Sequence, residues 1–240
     1  MRTSFYTPEL IETIERWDGQ LLGPGPENRK LEGIQVFRPV WFEAVFGKAH
    51  PIMPGVWWGP VIAACAYFTM IDPRFAAPVA LGRFIGGVLA WTLLEYVLHR
   101  WLFHKDPGPT FEGKFRQFMI HGYHHEFPND RMRLVAPLLL SGTFGLAIGI
   151  AYYALAGSYD WLMWYAGTAV GYIAYDWMHY YTHHFRPTTR LGKFLRRYHM
   201  EHHYKDSESH FGISSPLWDF VFGTWKAKDT APAAARSAAS

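Results

Sequence analysis

One cysteine, Cys65, is all the thiol in this chain of 240 residues, which excludes an internal disulfide framework. Charge is sparse as well: Asp, Glu, Lys and Arg make up 18% of the chain, and they avoid four long apolar stretches, roughly 52–71, 77–98, 135–156 and 160–178. The first and third of these hold no charged residue; the second holds Arg83 and Glu95, and the fourth starts at Asp160 and holds Asp176. The first twenty residues lack the basic-then-apolar order of a signal peptide, so the first apolar stretch is expected to stay as an anchor. HEXXH and GXSXG are both missing, which removes the commonest zinc-hydrolase and serine-hydrolase routes. No nucleic-acid motif accompanies the net charge of +3.

What is present points to lipid. Each apolar stretch approaches or reaches the ~20 residues that span a ~30 Å hydrocarbon core. Gly, Trp and Tyr are enriched within and at the ends of the stretches, as in membrane helices. The stretches pair into two hairpins, turning at Asp72–Pro73 and at 157–160. The basic residues gather on one side: Arg100, Lys105, Lys114, Arg116, Arg131 and Arg133 after the second stretch, and Arg186, Arg190, Lys193, Arg196, Arg197 and Lys205 after the fourth. The opposite turns carry one basic residue, Arg74, beside Asp72. The positive-inside rule then places the basic segments and both termini in the cytoplasm, against anionic headgroups. The expected fold is all-α and integral to the membrane: four transmembrane helices as two hairpins, with a cytosolic helical cap.

Three regions are expected: an interfacial segment 1–33, a membrane domain 34–225 and a disordered tail 226–240. Residues 7–21 read as an amphipathic helix, capped by Thr7, opened by Pro8 and striped by Leu10, Ile11, Ile14, Trp17 and Leu21. Whether that stripe lies on the membrane or docks on the protein is open at this level. A Gly-Pro run at 23–26 breaks the chain, 34–48 reads as a second interfacial segment, and 111–125 and 189–206 read as cap helices. The tail from about 230 is small and polar enough for disorder.

Ten of the thirteen histidines fall in four clusters: His99 and His104; His121, His124 and His125; His179 and His183; His199, His202 and His203. The spacings are HX4H, HX2HH, HX3H and HX2HH, and the plan of hairpin, histidine pair and HX2HH helix occurs twice. Imidazole is the commonest metal-ligand side chain, and ten are too many for one ion and about right for two. On a helix, HX2HH can supply two ligands to one ion and one to its neighbour. His99 and His104, at i and i+5, are wide for one helical face; either the helix ends between them or they serve different ions. Glu95 and Asp176 precede clustered histidines by four and three residues and are candidates to accept an imidazole N–H and fix its tautomer. His50 and His210 stand apart and read as ordinary histidines; His184 adjoins the third cluster and is either a further ligand or a flanking residue. Zinc has no accessible redox change, whereas ten imidazoles around two ions at a membrane surface suit oxygen activation at unactivated C–H bonds.

The strings EYVLHRWLFH (95–104), HGYHHEFPNDRMRLVAP (121–137), GYIAYDWMHYYTHH (171–184) and YHMEHHYKDSESHFGISSPLWDFVFGT (198–224) resemble the fatty acid hydroxylase/sterol desaturase superfamily, and within it the fatty acid 2-hydroxylases. That resemblance implies a four-helix membrane fold with a cytosolic cap and a dinuclear centre on the ten clustered histidines. It implies iron as the metal, with zinc the alternative in a purified form, and hydroxylation beside the carboxyl carbon of a long acyl chain. Sterol or carotenoid hydroxylation and lipid desaturation are the alternative outcomes at the same metal site. Eukaryotic relatives often carry a cytochrome b5 domain; residues 1–33 are too short for one and HPGG is absent, so a separate electron-transfer protein of cytochrome b5 or ferredoxin type is expected. Arg131, Arg133, Tyr180 and Tyr204, close to the clusters, are candidates for holding the polar end of a lipid substrate.

Overall fold

A computed structural model describes residues 4–23, 33–157 and 160–226. The expected break at 24–26, part of the second hairpin turn and the expected tail lie outside the described residues. Among the described residues the molecule is helical, with one isolated backbone bridge, Tyr6 to Phe37.

Helix α1 (Pro8–Arg16) begins where the sequence signals it: Thr7 accepts a hydrogen bond from the Leu10 amide at 3.3 Å, and proline sits in the first turn. It is shorter than the apolar stripe. Trp17 turns extended and its indole donates to the Gln20 carbonyl at 3.0 Å, so Trp17 and Leu21 follow the helix as irregular chain. Leu10 and Ile14 are fully buried in a cluster with Trp17, Phe118, Tyr123 and Phe127. α1 therefore docks on the protein, and burying each of these aliphatic side chains contributes about 1.5–3 kcal/mol. A short helical segment, 40–47, follows, with Val40, Trp41 and Val45 exposed.

The long helices come as two hairpins: α2 (Met53–Met70) with α3 (Ala77–Val97), then, after α4 (Phe111–Gln117), α5 (Leu138–Ala156) with α6 (Trp161–His184). α3 continues through a π-helical turn, Leu98–Phe103. α4 (Phe111–Gln117) runs through a second π turn, Phe118–Gly122, into Tyr123–Glu126. α7 (Arg190–Tyr204) and the short α8 (Leu217–Val221) follow α6. Among the described residues two helices, Ala77–Phe103 and Leu138–Ala156, are long and apolar enough to cross a membrane. Leu81, Ile85 and Leu89 on α3 and Leu139, Leu146 and Ile150 on α5 point outward and are at least half exposed. Rows of that kind are stable against lipid tails and not against water, and the molecule is a membrane protein.

α6 is the axis of the bundle, with α3, α2 and α5 each packed against it. Its seam with α3 is made by glycine. A Cβ on Gly87 would lie 2.1 Å from the Trp164 carbonyl oxygen, and one on Gly167 2.0 Å from that of Phe84. Helices in lipid gain little from apolar burial, and close backbone approach through small residues is how they hold.

Candidate metal centre

The ten clustered histidines converge from α3, α4, α6 and α7 into two groups of five. His99, His104, His121, His125 and His202 form one; His124, His179, His183, His199 and His203 form the other. Within each group one ring nitrogen per residue lies within 4.8 Å of all the others. His50, His184 and His210 belong to neither group.

The backbone explains this sorting. In each HX2HH motif the i and i+4 residues share a group, His121 with His125 and His199 with His203. The intervening His124 and His202 turn to the opposite group. The two motifs thus cross-link the groups, and the His125 and His203 rings stack at 4.1 Å between centroids. His99 and His104 lie in the same group, so they do not serve different ions; of the two alternatives read from their spacing, the helix ending between them is the one that holds. It closes at Phe103 in a π turn: the His104 amide donates to the His99 carbonyl at 3.0 Å, an i to i+5 bond that brings residues five apart onto one face.

Nε2 atoms face one another at short range. The separations are 3.1 Å for His99–His121, 3.0 Å for His121–His125 and 3.1 Å for His104–His202. In the other group they are 3.0 Å for His124–His203, 3.0 Å for His124–His179 and 2.8 Å for His183–His199. Two nitrogens that each bind one ion at ~2.0–2.1 Å lie about 3 Å apart, so these spacings fit a shared cation. The outer nitrogens complete the argument. His99 Nδ1 donates to the Phe211 carbonyl at 2.5 Å and His202 Nδ1 to the Ser209 carbonyl at 2.7 Å, which leaves each Nε2 lone pair facing inward. The clusters can hold metal ions.

Burial keeps the rings neutral. It pushes His124 down to about 3, and His121, His125, His199, His202 and His203 well below the usual histidine value, with neighbouring histidine charge as a further cause. The neutral ring is the metal-binding form. An unfolded histidine takes up its proton near 6.5. Between that pH and about 3 the unfolded chain binds a proton that folded His124 refuses. The contribution is therefore complete above 6.5 and is lost as pH falls, by up to about 1.4 kcal/mol per pH unit per histidine. Chelator-treated protein is expected to show a melting temperature that drops between pH 7 and pH 5, as read by a thermal melt at each pH.

The carboxylates act at one remove. Glu95 is buried, and none of its hydrogen bonds among the described residues is to an imidazole. Its Oε1 accepts the Ile213 and Ser214 amides at 2.5 and 2.7 Å, and its Oε2 accepts the Ser214 hydroxyl. The 209–214 loop it holds is the one whose carbonyls orient His99 and His202. Asp219 grips the same loop: its Oδ1 accepts from the Phe211 amide (2.8 Å) and the Thr224 hydroxyl (2.7 Å), and its Oδ2 from the Gly212 amide (2.7 Å). Sequence reasoning passed over Asp219, because its partners are placed by the loop's fold. Asp176 is buried beside a cavity, paired with the Tyr172 hydroxyl and the Ala136 backbone.

Of the other candidates, Arg133 is buried in ion pairs with Glu43 and with Asp130 (3.0 Å) and ties the 36–43 segment to the loop before α5. Arg131 is exposed, the Tyr180 ring lies 4.5 Å from that of His184, and the Tyr204 ring lies 5.8 Å from that of His203.

Beneath the histidines a cavity of about 170 Å³ opens between α3, α5 and α6. His121, His124 and His179 line its upper end, and Phe144, Ile148, Tyr165 and Ala169 its lower part. Trp58 Nε1 and Trp91 Nε1 are buried on this cavity's lining without a hydrogen-bond partner among the described residues, and Ser141, Tyr172 and Asp176 sit together on the same lining.

A helical membrane protein with two five-histidine groups above an apolar cavity has the build of a metal-dependent enzyme acting on lipid chains. Residues 84–224 match the family model described as fatty acid hydroxylase, and the chain belongs to that family. It is 32% identical to a dihydroceramide fatty acyl 2-hydroxylase of Arabidopsis thaliana, over 92% of this chain and 89% of the relative. It is 40% identical to a ceramide very long chain fatty acid hydroxylase of Saccharomyces cerevisiae, over 61% of this chain and 38% of the relative. The solved structure of full-length scs7p, with only its hydroxylase domain visible, superimposes with a TM-score of 0.74 at 31% identity, covering 96% of this chain and 83% of that one.

Proposed function

We propose that this chain is a membrane-bound hydroxylase that inserts one oxygen atom of dioxygen at C2 of a long acyl chain. The observation that carries the reading is the cavity, lined mainly by apolar side chains and reaching His121, His124 and His179. The ten clustered histidines would hold two metal ions, five imidazoles to each, with iron expected and zinc the alternative in a purified form. A redox metal there supplies oxygen activation, which side chains lack. The protein's part is to hold neutral imidazoles, to exclude water and to present the chain.

The reaction consumes the acyl C–H, dioxygen, two electrons and two protons, and yields the alcohol and water. The electrons come from a separate carrier of cytochrome b5 or ferredoxin type. The acyl chain is free, coenzyme-linked or sphingolipid-linked; the names of the relatives favour the last.

Connection lengths support four spans. α3 and α5 can each cross a bilayer, and each is joined to its hairpin partner by a short turn at the end far from the histidines. In this reading α2 and α6 return across it. All four histidine-proximal ends then share one side with the cap, and the basic loops make that side cytoplasmic.

Expression of the chain is expected to add 2-hydroxy acyl species to the host's total lipids, as read by mass spectrometry. A new double bond with no 2-hydroxyl species would overturn the reading in favour of desaturation.

A further inference from the structure

The cavity has an end. Its deepest lining residues are Tyr165, Thr168 and Ala169 on α6 and Ile148 on α5. At that level α5 is stapled to α6 by two polar contacts: the Tyr165 hydroxyl donates to the Gly145 carbonyl at 3.0 Å, and the Tyr152 and Thr168 hydroxyls meet at 2.9 Å. Thr168 also reaches the Gly87 carbonyl at 3.1 Å, joining α3 to the same knot. Beside it α3 and α6 touch backbone to backbone at Gly87 and Gly167, which leaves no room for a chain between them. Higher up, from Pro137 to Phe144, α5 faces α6 across the open cavity.

We infer that the cavity is a closed-ended acyl slot whose floor, formed by Tyr165, Thr168 and Ile148, limits the length of tail the enzyme accepts. This rests on the proposed hydroxylase reading for the identity of the chain. Thr168 precedes His179 by eleven residues, about 16 Å along the helix axis at ~1.5 Å per residue. That is about half of a ~30 Å hydrocarbon core, the depth that an ordinary acyl chain fills in one leaflet. A longer tail meets the floor while its carboxyl end is still at the histidines. The interior is close-packed and helix-stapled, so overlength is penalised as overpacking is.

Two variants move the floor in opposite directions. Tyr165→Ala removes the ring that closes the slot and deepens it; Ile148→Trp fills the bottom without removing a hydrogen bond. The test uses purified full-length protein in lipid nanodiscs, offered an equimolar series of saturated fatty acids of graded length. Bound chains are identified by mass spectrometry, a readout that does not need turnover. Wild type is expected to retain chains up to a cut-off and to deplete longer ones at least about fivefold, the low end of an overpacking penalty. The cut-off should rise by several carbons in Tyr165→Ala and fall by several in Ile148→Trp, with the metal content of all three matching. A bound-chain profile without a cut-off, or one cut-off shared by wild type and Ile148→Trp, overturns the inference even if Tyr165→Ala fails to fold. A cut-off that shifts as expected in protein that makes no 2-hydroxy product leaves the slot standing and removes the reading of the reaction.

Discussion

Alanine at His125 is expected to abolish 2-hydroxy product, with a loss well beyond the ~10–100-fold that follows removal of a residue merely supporting a ligand. His125 faces His121 Nε2 at 3.0 Å and stacks on His203 across the boundary between the two groups. Its loss opens one group and loosens the other. The same result is expected for His121→Ala and His202→Ala, and each variant should carry less metal by elemental analysis. His50, outside both groups and exposed, should tolerate alanine with activity close to wild type. Near-normal turnover of His125→Ala at matched expression would remove these histidines from the reaction.

The second large effect is expected at a residue whose hydrogen bonds among the described residues reach no histidine side chain. Glu95→Ala should reduce activity and metal content by ~10–100-fold, the range seen when support behind a ligand is removed. Its carboxylate receives three hydrogen bonds from Ile213 and Ser214, and the loop they belong to offers its carbonyls to His99 and His202. Without that carboxylate the buried Ile213 amide loses its acceptor, at ~1–3 kcal/mol, and the half-buried Ser214 amide loses its own. Glu95→Gln keeps an acceptor oxygen in place and should retain most activity. A purely structural role would lower the melting temperature of both variants and leave metal stoichiometry unchanged; the loop's role predicts metal loss in the alanine variant and retention in the glutamine variant. Activity and metal content of Glu95→Ala equal to wild type would refute it.

Much of this was legible in the sequence because it depends on local period. The hairpins follow from runs of apolar residues, the α1 cap from Thr7 and Pro8, and the splitting of each HX2HH motif between two groups from the angular steps of a helix. Spacing left the i and i+5 pair His99 and His104 open between two alternatives; the helix ends between them, at Phe103, and closes in a π turn that no residue in HRWLFH announces. Spacing also pointed Glu95 at an imidazole, because four residues is one helical turn; the fold instead brings the 213–214 amides, more than a hundred residues away, onto its carboxylate. Asp219 was invisible for the same reason. Arg133 read as a free cation beside the site, but its two carboxylate partners, Glu43 and Asp130, are assembled from separate segments and bury it. The docking of α1 was undecided, since an amphipathic stripe fits a lipid surface and a protein groove equally well, and Phe118, Tyr123 and Phe127 supply the groove.

The central claim is that a metal centre in these histidines puts an oxygen atom from dioxygen onto C2 of an acyl chain. Turnover in isotopically labelled dioxygen, with an acyl substrate and an external reductant, tests it most directly. The account predicts label in the 2-hydroxyl group of the product at the enrichment of the gas, and loss of that product in His125→Ala. A 2-hydroxyl whose oxygen comes from water, or a labelled hydroxyl at another carbon, would contradict it.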